Sequence, residues 1–224
     1  ILPGLTLARM LKEKYPHLHI TLGGPIFSVN SKQLMGHPEF FQEFCDSIVT
    51  FEGEEPLHRL LTTLKNGSTL KNVPNLLFYE NGKIKFNEER VELRFEEMPP
   101  PTFDGLPMDL YLSPYPILPV LQSRGCYWGK CTFCTHSFIY GHRYGKQRTE
   151  QMVDELENLG KKYKTKYFTF SDEAVSPHSL NDVSEEIIKR DVDIKSLALL
   201  KFEKVMDQEL FKKMKLAGFI FLMY

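Results

Sequence analysis

Strand-like and helix-like segments alternate without interruption through the second half of the sequence. The predicted elements are strands at 117–123, 166–171, 194–201 and 219–224, and helices at 149–163, 179–190 and 207–217. Short apolar runs separated by longer amphipathic segments are typical of parallel β/α units. The order predicts an α/β fold in which residues 117–224 form the first half of a β/α barrel. A doubly wound parallel sheet produces the same alternation, and periodicity does not separate the two architectures.

The beginning of the chain has a similar texture. A helix is predicted around 4–15, a strand at 18–22, a second strand in "DSIVTF", and a helix from Pro56 to about Lys65. Helices and strands that alternate with short connections indicate a parallel α/β sheet. We therefore expect a first α/β domain over residues 1–65.

Residues 66–116 are predicted to form a linker that contains a β-hairpin. Asn81 and Gly82 lie between two alternating runs in "NLLFYENGKIKFNE", and this pair strongly favours a two-residue hairpin turn. The following stretch, "EEMPPPTFDGLPMDLYLSPYP", carries too many prolines for a helix or a central strand. It is typical of a segment wrapped on a surface.

Three of the four cysteines fall within nine residues of the stretch "GCYWGKCTFCTHS". Cys126, Cys131 and Cys134 follow the first predicted strand of the second half, in a loop at the end of the sheet where β/α folds place their active sites. Their C-x4-C-x2-C spacing is short enough for one loop to wrap a single metal centre. A cubane iron–sulfur cluster normally takes four cysteines, so three leave one iron open to a substrate or cofactor. Cys45 lies in the apolar run "FFQEFCDSIVTF" and is predicted to be a core residue.

Two alternatives to an iron–sulfur cluster remain open at this point. A structural zinc site could be formed by Cys126, Cys131, Cys134 and His136, which would make the chain a non-catalytic, zinc-stabilised binding module. Structural zinc sites usually draw their ligands from two separated knuckles, however. Buried cysteines without a metal are the second alternative, although the loop is rich in glycine, lysine and threonine.

The charge balance and the two ends of the chain limit which cellular location and which binding partners the sequence predicts. Lysine and arginine number 28 against 29 acidic residues, so the charge indicates neither a nucleic acid nor a membrane surface as partner. No membrane span or signal peptide is found in the sequence, and we expect a cytoplasmic protein. In that compartment clustered cysteines more often bind metal or do redox chemistry than form disulfides. The chain opens at Ile1 in a helical pattern and ends in "GFIFLMY", so we expect a fragment truncated at both ends.

The cysteine loop resembles the signature of the radical S-adenosylmethionine enzymes. In that family the signature follows the first barrel strand and has an aromatic residue before its third cysteine, as Phe133 stands before Cys134. The resemblance covers about 117–224 and is most specific over 123–134. The usual signature has three residues between its first two cysteines, whereas this chain has four, from Tyr127 to Lys130.

The resemblance implies a cofactor set and a set of roles. The three cysteines would bind a [4Fe–4S] cluster, and S-adenosylmethionine bound to its open iron would be cleaved reductively to methionine and a 5′-deoxyadenosyl radical. Phe133 would contact S-adenosylmethionine, and Asp172 or Glu173, after the next strand, would receive its amino group; the alternative is that these carboxylates cap a helix or face solvent. The partners would be an unknown substrate and a one-electron donor such as flavodoxin or ferredoxin. Lys201 and the basic run 143–148 are expected to be solvated surface.

The first domain also resembles a known domain. "LTLARMLKEKYPHLHITLGGPIFS" followed by "CDSIVTFEGEEPLHRLL" is similar to the later part of the Rossmann-like cobalamin-binding domain that precedes many radical enzymes of this class. Gly23 and Gly24 match the glycines that let the chain approach the cobalamin tail, and a tight turn after a strand is the alternative. The Asp-x-His-x-x-Gly motif of the axial histidine would precede Ile1. A cobalamin-dependent methyl transfer is the leading expectation, followed by ring rearrangement and sulfur insertion.

Overall fold

A computed structural model of the chain describes residues 1–89, 91, 95, 98–140 and 143–223. Parts of the predicted linker, at 90, 92–94, 96 and 97, and the last residue of the predicted final strand lie outside these described residues. The chain divides into two compact units, Ile1–Leu93 with Phe138–Gly141, and Arg94–Ser137 with His142–Tyr224. Each unit has its own sheet.

The first unit is a four-stranded mixed sheet with helices. Its elements are α1 (Leu2–Lys14), β1 (Thr21–Gly23), α2 (Pro25–Val29), α3 (Ser31–Leu34), α4 (Pro38–Phe44), β2 (Ser47–Val49), α5 (Glu54–Lys65), a 3₁₀ turn (Leu70–Asn72), β3 (Leu76–Glu80) and β4 (Lys83–Asn87). The strand order is β1-β2-β3-β4, with β1 and β2 parallel and the others antiparallel. Helix α5 has Glu54 and Glu55 in its first turn, where the helix dipole favours acidic side chains.

The predicted hairpin is confirmed, but it does not stand apart as a linker. Strands β3 and β4 are joined by Asn81 and Gly82, both with positive φ, as a tight two-residue hairpin turn requires. Strand β3 pairs with β2, placing Leu77 opposite Ile48. Three apolar residues of β3, Leu76, Leu77 and Phe78, are fully buried. They need a neighbouring strand to cover them, and β2 is that strand. The hairpin therefore extends the sheet of the first unit, whereas the sequence pattern placed it in the segment 66–116.

The core of the first unit includes Cys45. This side chain is fully buried and packs with Phe41, Ile48 and Leu77. Burial raises the pKa of the Cys45 thiol to about 12, since the charged form would lose its hydration. The predicted core role of Cys45 is confirmed.

The second unit contains the regular β/α repeat. Its elements are a 3₁₀ turn (Met108–Leu110), β5 (Ile117–Val120), β6 (Ser123–Arg124), β7 (Gly145–Lys146), α7 (Thr149–Tyr163), β8 (Tyr167–Phe170), α8 (Pro177–Lys189), β9 (Lys195–Leu199), α9 (Gln208–Leu216) and β10 (Phe219–Met223). The short helix α6 (His136–Ile139) has its first two residues in this unit and its last two in the first unit. The predicted order of strands and helices from 117 onward is confirmed.

The strand order decides between the two architectures that the sequence left open. Strands β5, β8, β9 and β10 are neighbours in chain order, and all of their pairings are parallel. Each new β/α unit is therefore added at the same edge of the sheet, as in a β/α barrel. A doubly wound sheet reverses direction partway through. The second unit is the beginning of a barrel.

One hydrophobic core joins the strands and helices of the second unit. From the strands it takes alternate, almost fully buried residues such as Leu118, Phe168 and Phe170. Helices begin at side-chain caps where the sequence offers them: Ser176 accepts from Ser179 N at 3.2 Å, and Asp207 accepts from Leu210 N at 2.9 Å. Within the described part of the chain, no helix is long and apolar enough to cross a membrane.

Gly218 closes the turn between α9 and β10 at a position that no side chain fits. Its φ is +94°, and an added Cβ would lie 2.0 Å from the carbonyl oxygen of Ile194. Gly105 in the same unit has φ +82° but open space around its Cβ position. We expect Gly218→Ala to lower the free energy of unfolding by about 3 kcal/mol or more, since backbone strain and overpacking add. Gly105→Ala should cost only about 1–2 kcal/mol of strain. Equal denaturation midpoints for the two variants would contradict the close approach at Gly218.

Candidate active site

The cysteine loop leaves the sheet of the second unit at the carboxyl end of β5. Cys126 and Cys134 are half-buried, Cys131 is exposed, and none of the three forms a disulfide. A turn brings Cys131 and Cys134 near each other, since Cys134 N donates to the carbonyl oxygen of Cys131 at 3.2 Å. Among the described residues, no three His, Cys, Asp or Glu side chains are gathered closely enough to hold a metal ion. The three thiols must therefore converge further to share one centre.

The donor set fits an iron–sulfur cluster by its chemistry. Thiolates are soft ligands that suit such clusters, and one loop supplies three of them. The fourth cysteine is buried in the core of the first unit. His136, which the zinc alternative requires as fourth ligand, has its Nδ1 3.4 Å from Oε1 of Glu173. The loop thus offers three thiols and leaves one position of a cubane without a cysteine.

Asp172 holds the entrance to the cysteine loop. It follows β8 and is fully buried. Its Oδ2 accepts from the backbone N of Gln122 at 3.1 Å, and its Oδ1 accepts from the Ser123 hydroxyl at 2.5 Å. Burial raises the pKa of the Asp172 carboxyl to about 6, although these hydrogen bonds act in the opposite direction. With both oxygens used by the chain itself, Asp172 is better placed to fix the loop than to receive an amino group.

Glu173, the next residue, has one oxygen to spare. Its Oε1 faces His136, whereas its Oε2 is buried and has no hydrogen-bond partner in the structure. A buried oxygen left unpaired costs about 1–3 kcal/mol, more when it is charged. A ligand with an ammonium group would satisfy it. Of the two carboxylates singled out in the sequence, Glu173 is the one with an oxygen that has no hydrogen-bond partner.

Two of the four residues between the first two cysteines, Tyr127 and Trp128, contact the segment after β9. The Tyr127 hydroxyl donates to Oε1 of Glu203 at 2.5 Å. The ammonium of Lys201 lies 3.7 Å from the centre of the Trp128 ring. Lys201 is half-buried, so it is only partly the solvated surface residue that we expected, and its ammonium lies over an aromatic ring. By contrast, the Phe133 side chain is 88% exposed.

A partly buried polar network that sequence analysis missed lies beside the loop entrance. Gln147 N donates to Gln122 O at 2.9 Å, and its side chain donates to Leu121 O at 3.0 Å and to Glu155 at 3.3 Å. Burial raises the pKa of Glu155. The network ties the strand exit to α7. No local pattern predicts it, because Gln147 and Glu155 look like ordinary polar residues of a loop and a helix.

In the first unit, Gly23 and Gly24 line a cavity of about 470 Å³ at the carboxyl ends of β1 and β2. Its remaining lining residues are Thr21, Leu22, Val49, Phe51, Gly53, Glu54 and Leu57. Gly24 has φ +108°, which favours glycine, whereas an added Cβ at Gly23 would make only an ordinary contact, 3.5 Å from Val49 O. The fold alone therefore does not require glycine at Gly23. Ligands of open α/β sheets bind at this end of the strands.

Comparisons with known proteins agree with this architecture. No protein-family model matches the chain. The structure of the radical S-adenosylmethionine methyltransferase TsrM from Kitasatospora setae, with tryptophan substrate and the analogue aza-SAM bound, superposes over 96% of this chain and 43% of its own, with a TM-score of 0.70 and 19% identity. The cobalamin-dependent S-adenosylmethionine radical enzyme OxsB, with aqua-cobalamin and S-adenosylmethionine bound, covers 93% of this chain and 32% of its own, with a TM-score of 0.67 and 22% identity.

The chain thus shares the fold of these two enzymes over the part of each that it covers. Among curated proteins it is similar to an uncharacterized methyltransferase of Pyrococcus horikoshii, 30% identical over 196 residues, or 84% of this chain and 41% of the relative. The resemblance and the fold class expected from the sequence are confirmed. Nothing among these relatives supports a zinc-stabilised module. The chain spans less than half the length of the curated relatives it matches.

The buried carboxyl of Asp172 makes stability depend on pH in a specific direction. Because its pKa is higher in the folded chain (about 6) than the ordinary value of 3.8, the folded chain binds this proton more tightly. The contribution of this carboxyl to the free energy of unfolding is fully present below pH 3.8 and is lost as pH rises through 6. The loss amounts to about 3 kcal/mol. Asparagine does not titrate, so Asp172→Asn should not lose stability in this way. Between pH 4 and 7 the free energy of unfolding of wild type should therefore fall relative to that of the variant. Urea midpoints at four pH values measure this. Parallel pH curves for wild type and Asp172→Asn would contradict it, and the exposed Asp193→Asn should follow wild type.

Proposed function

We propose that this chain forms the cluster-binding and cofactor-binding part of a radical S-adenosylmethionine enzyme. The observation that supports it most is the presence of three free thiols, Cys126, Cys131 and Cys134, on one loop at the carboxyl end of the first barrel strand. These three residues would hold a [4Fe–4S] cluster. When bound, the cluster supplies the electron that cleaves S-adenosylmethionine to methionine and a 5′-deoxyadenosyl radical.

The residues around the loop have distinct parts in this proposal. Glu173 offers its unpaired Oε2 to the amino group of S-adenosylmethionine, and this suits a buried oxygen that lacks a donor. Asp172 keeps the loop entrance in place through Gln122 and Ser123. Phe133 flanks the cofactor and helps to exclude water from it. A one-electron donor such as flavodoxin or ferredoxin would reduce the site, in the cytoplasm, where thiols stay reduced.

We further propose that the first unit, with residues 1–65 and the hairpin of β3 and β4, belongs to a cobalamin-binding domain, and that residues 117–224 form the barrel half. The cavity beside Gly23 and Gly24 supports this assignment, because it lies where α/β sheets bind ligands. Gly23 supports it as well, because the fold itself would accept a larger residue there. With cobalamin in the first domain, the reaction would be a methyl transfer.

The cluster is tested by anaerobic reconstitution with iron and sulfide. We expect a brown protein with about four irons per chain, which bleaches in air. Replacing any one of the three loop cysteines by alanine should abolish stable cluster assembly, because each thiolate holds one iron. Cys45→Ala is the matched control, and it should keep its iron and lose only modest stability from a small cavity. One tightly bound, oxygen-insensitive zinc per chain would overturn the proposal and restore the zinc module.

Cobalamin binding is tested at Gly23. We expect hydroxocobalamin to bind the full-length protein, and Gly23→Val in that protein to weaken the binding at least tenfold, because the added side chain fills the cavity. Gly36→Val is the control, since Gly36 has a backbone oxygen at the same 3.5 Å distance but does not line the cavity. Absorbance titrations measure both variants. Unchanged binding by Gly23→Val would remove the cobalamin assignment of this cavity.

A further inference from the structure

We propose that two residues after β9 are positioning residues for the cysteine loop. Glu203 holds the loop through Tyr127, and Lys201 holds it through Trp128. This inference rests on the proposed function, because its purpose is to set where the thiols of the loop lie. It gives a role to the extra residue between the first two cysteines, which the usual signature lacks.

The first contact is a short hydrogen bond to a carboxylate. The half-buried Tyr127 donates to Glu203 at 2.5 Å, and its ring packs edge-on against Tyr144, with the ring centres 6.2 Å apart. Hydrogen bonds to charged groups contribute more than neutral ones. The residue directly after Cys126 is thereby fixed.

The second contact is a cation over an aromatic face. Lys201 lies 3.7 Å from the centre of the Trp128 ring, and Lys130 lies 5.0 Å from it. Both distances are within the range of cation–π attraction, and tryptophan is the best acceptor. Lys130 belongs to the loop itself, whereas Lys201 belongs to the segment after β9. Through Lys201, Trp128 therefore binds the loop to that segment.

A glycine then returns the chain to the second cysteine. Gly129 has φ +60°, and an added Cβ would lie 2.9 Å from the Ser137 hydroxyl. A loop of three residues would have to omit one of these steps. With four, Tyr127 and Trp128 can both reach the β9 segment before Gly129 turns the chain toward Cys131. The longer spacing is therefore a device for holding the loop against the third strand of the barrel.

Fluorescence tests the contacts without any cluster. Trp128 is the single tryptophan in the 224 residues, so its emission reports on the contact directly. We expect Lys201→Ala to raise the acrylamide quenching of Trp128 about twofold, because the end of the lysine side chain lies over the ring and shields it. Lys201→Arg should restore the protection, since it keeps both stem and charge. Asp193→Ala, which removes the exposed pair with Lys166 in the same unit, should match wild type. Unchanged quenching in Lys201→Ala overturns the contact.

The reconstituted protein tests the positioning role. We expect Glu203→Ala and Tyr127→Phe to remain folded and keep their iron, yet to cleave S-adenosylmethionine about tenfold more slowly, because misplaced reactive groups lose rate steeply. The electron paramagnetic resonance change on adding S-adenosylmethionine should be altered in the same way in both. Glu203→Gln, which keeps an acceptor, should recover the wild-type rate. Because both changes break one hydrogen bond, the double variant should be no slower than either single variant.

The outcomes separate this inference from the function on which it rests. If wild type binds iron and cleaves S-adenosylmethionine while Glu203→Ala does so equally well, the positioning role is wrong and the proposed function stands. If wild type assembles no cluster, the proposed function fails and the positioning role fails with it. In that case the quenching comparison still decides whether the two segments are joined.

Discussion

A buried carboxylate joins two neighbouring strand exits, and the geometry of the site depends on that contact. Strands β5 and β8 are parallel neighbours, so the residues that follow them emerge side by side. Asp172 follows one strand and binds Gln122 and Ser123, which follow the other. The cysteine loop therefore starts from a fixed point only a few residues before Cys126. The burial that this requires is costly for a carboxyl, and the two hydrogen bonds offset part of that cost.

From that fixed point the loop becomes progressively less restrained. Its entrance is bound by Asp172, and its next turn contacts the β9 segment through Tyr127 and Trp128. Farther along, Cys131 and Phe133 are exposed. This gradient suits a metal site that forms upon binding: the anchored part defines where the centre lies, and the exposed part can close around it. Two anchors on different strands also prevent the loop from rotating about one attachment.

Periodicity and motif spacing predicted much of the fold, because both are local properties of the chain. The β/α order from residue 117, the hairpin turn at Asn81 and Gly82, and the buried Cys45 all follow from patterns within a few residues. Partners in space are not encoded that way. The hairpin joins β2 because its apolar strand needs cover, and the barrel order emerged only from the strand pairing. Likewise, Asp172 and Glu173 are adjacent and chemically alike, yet one faces the chain and the other has a free oxygen. Lys201 looked like surface because the aromatic ring that it covers lies 73 positions earlier in the sequence.

The burial of Cys45 affects which cysteines of the chain are oxidised in air. Oxidants attack the thiolate, and a thiol with a pKa of about 12 and no solvent contact is almost never in that form near neutral pH. Sulfenic acid formation and its further oxidation will therefore concentrate on the loop cysteines, while the core thiol survives. Oxidative damage will remove the chemistry of the loop and leave the packing of the first unit intact.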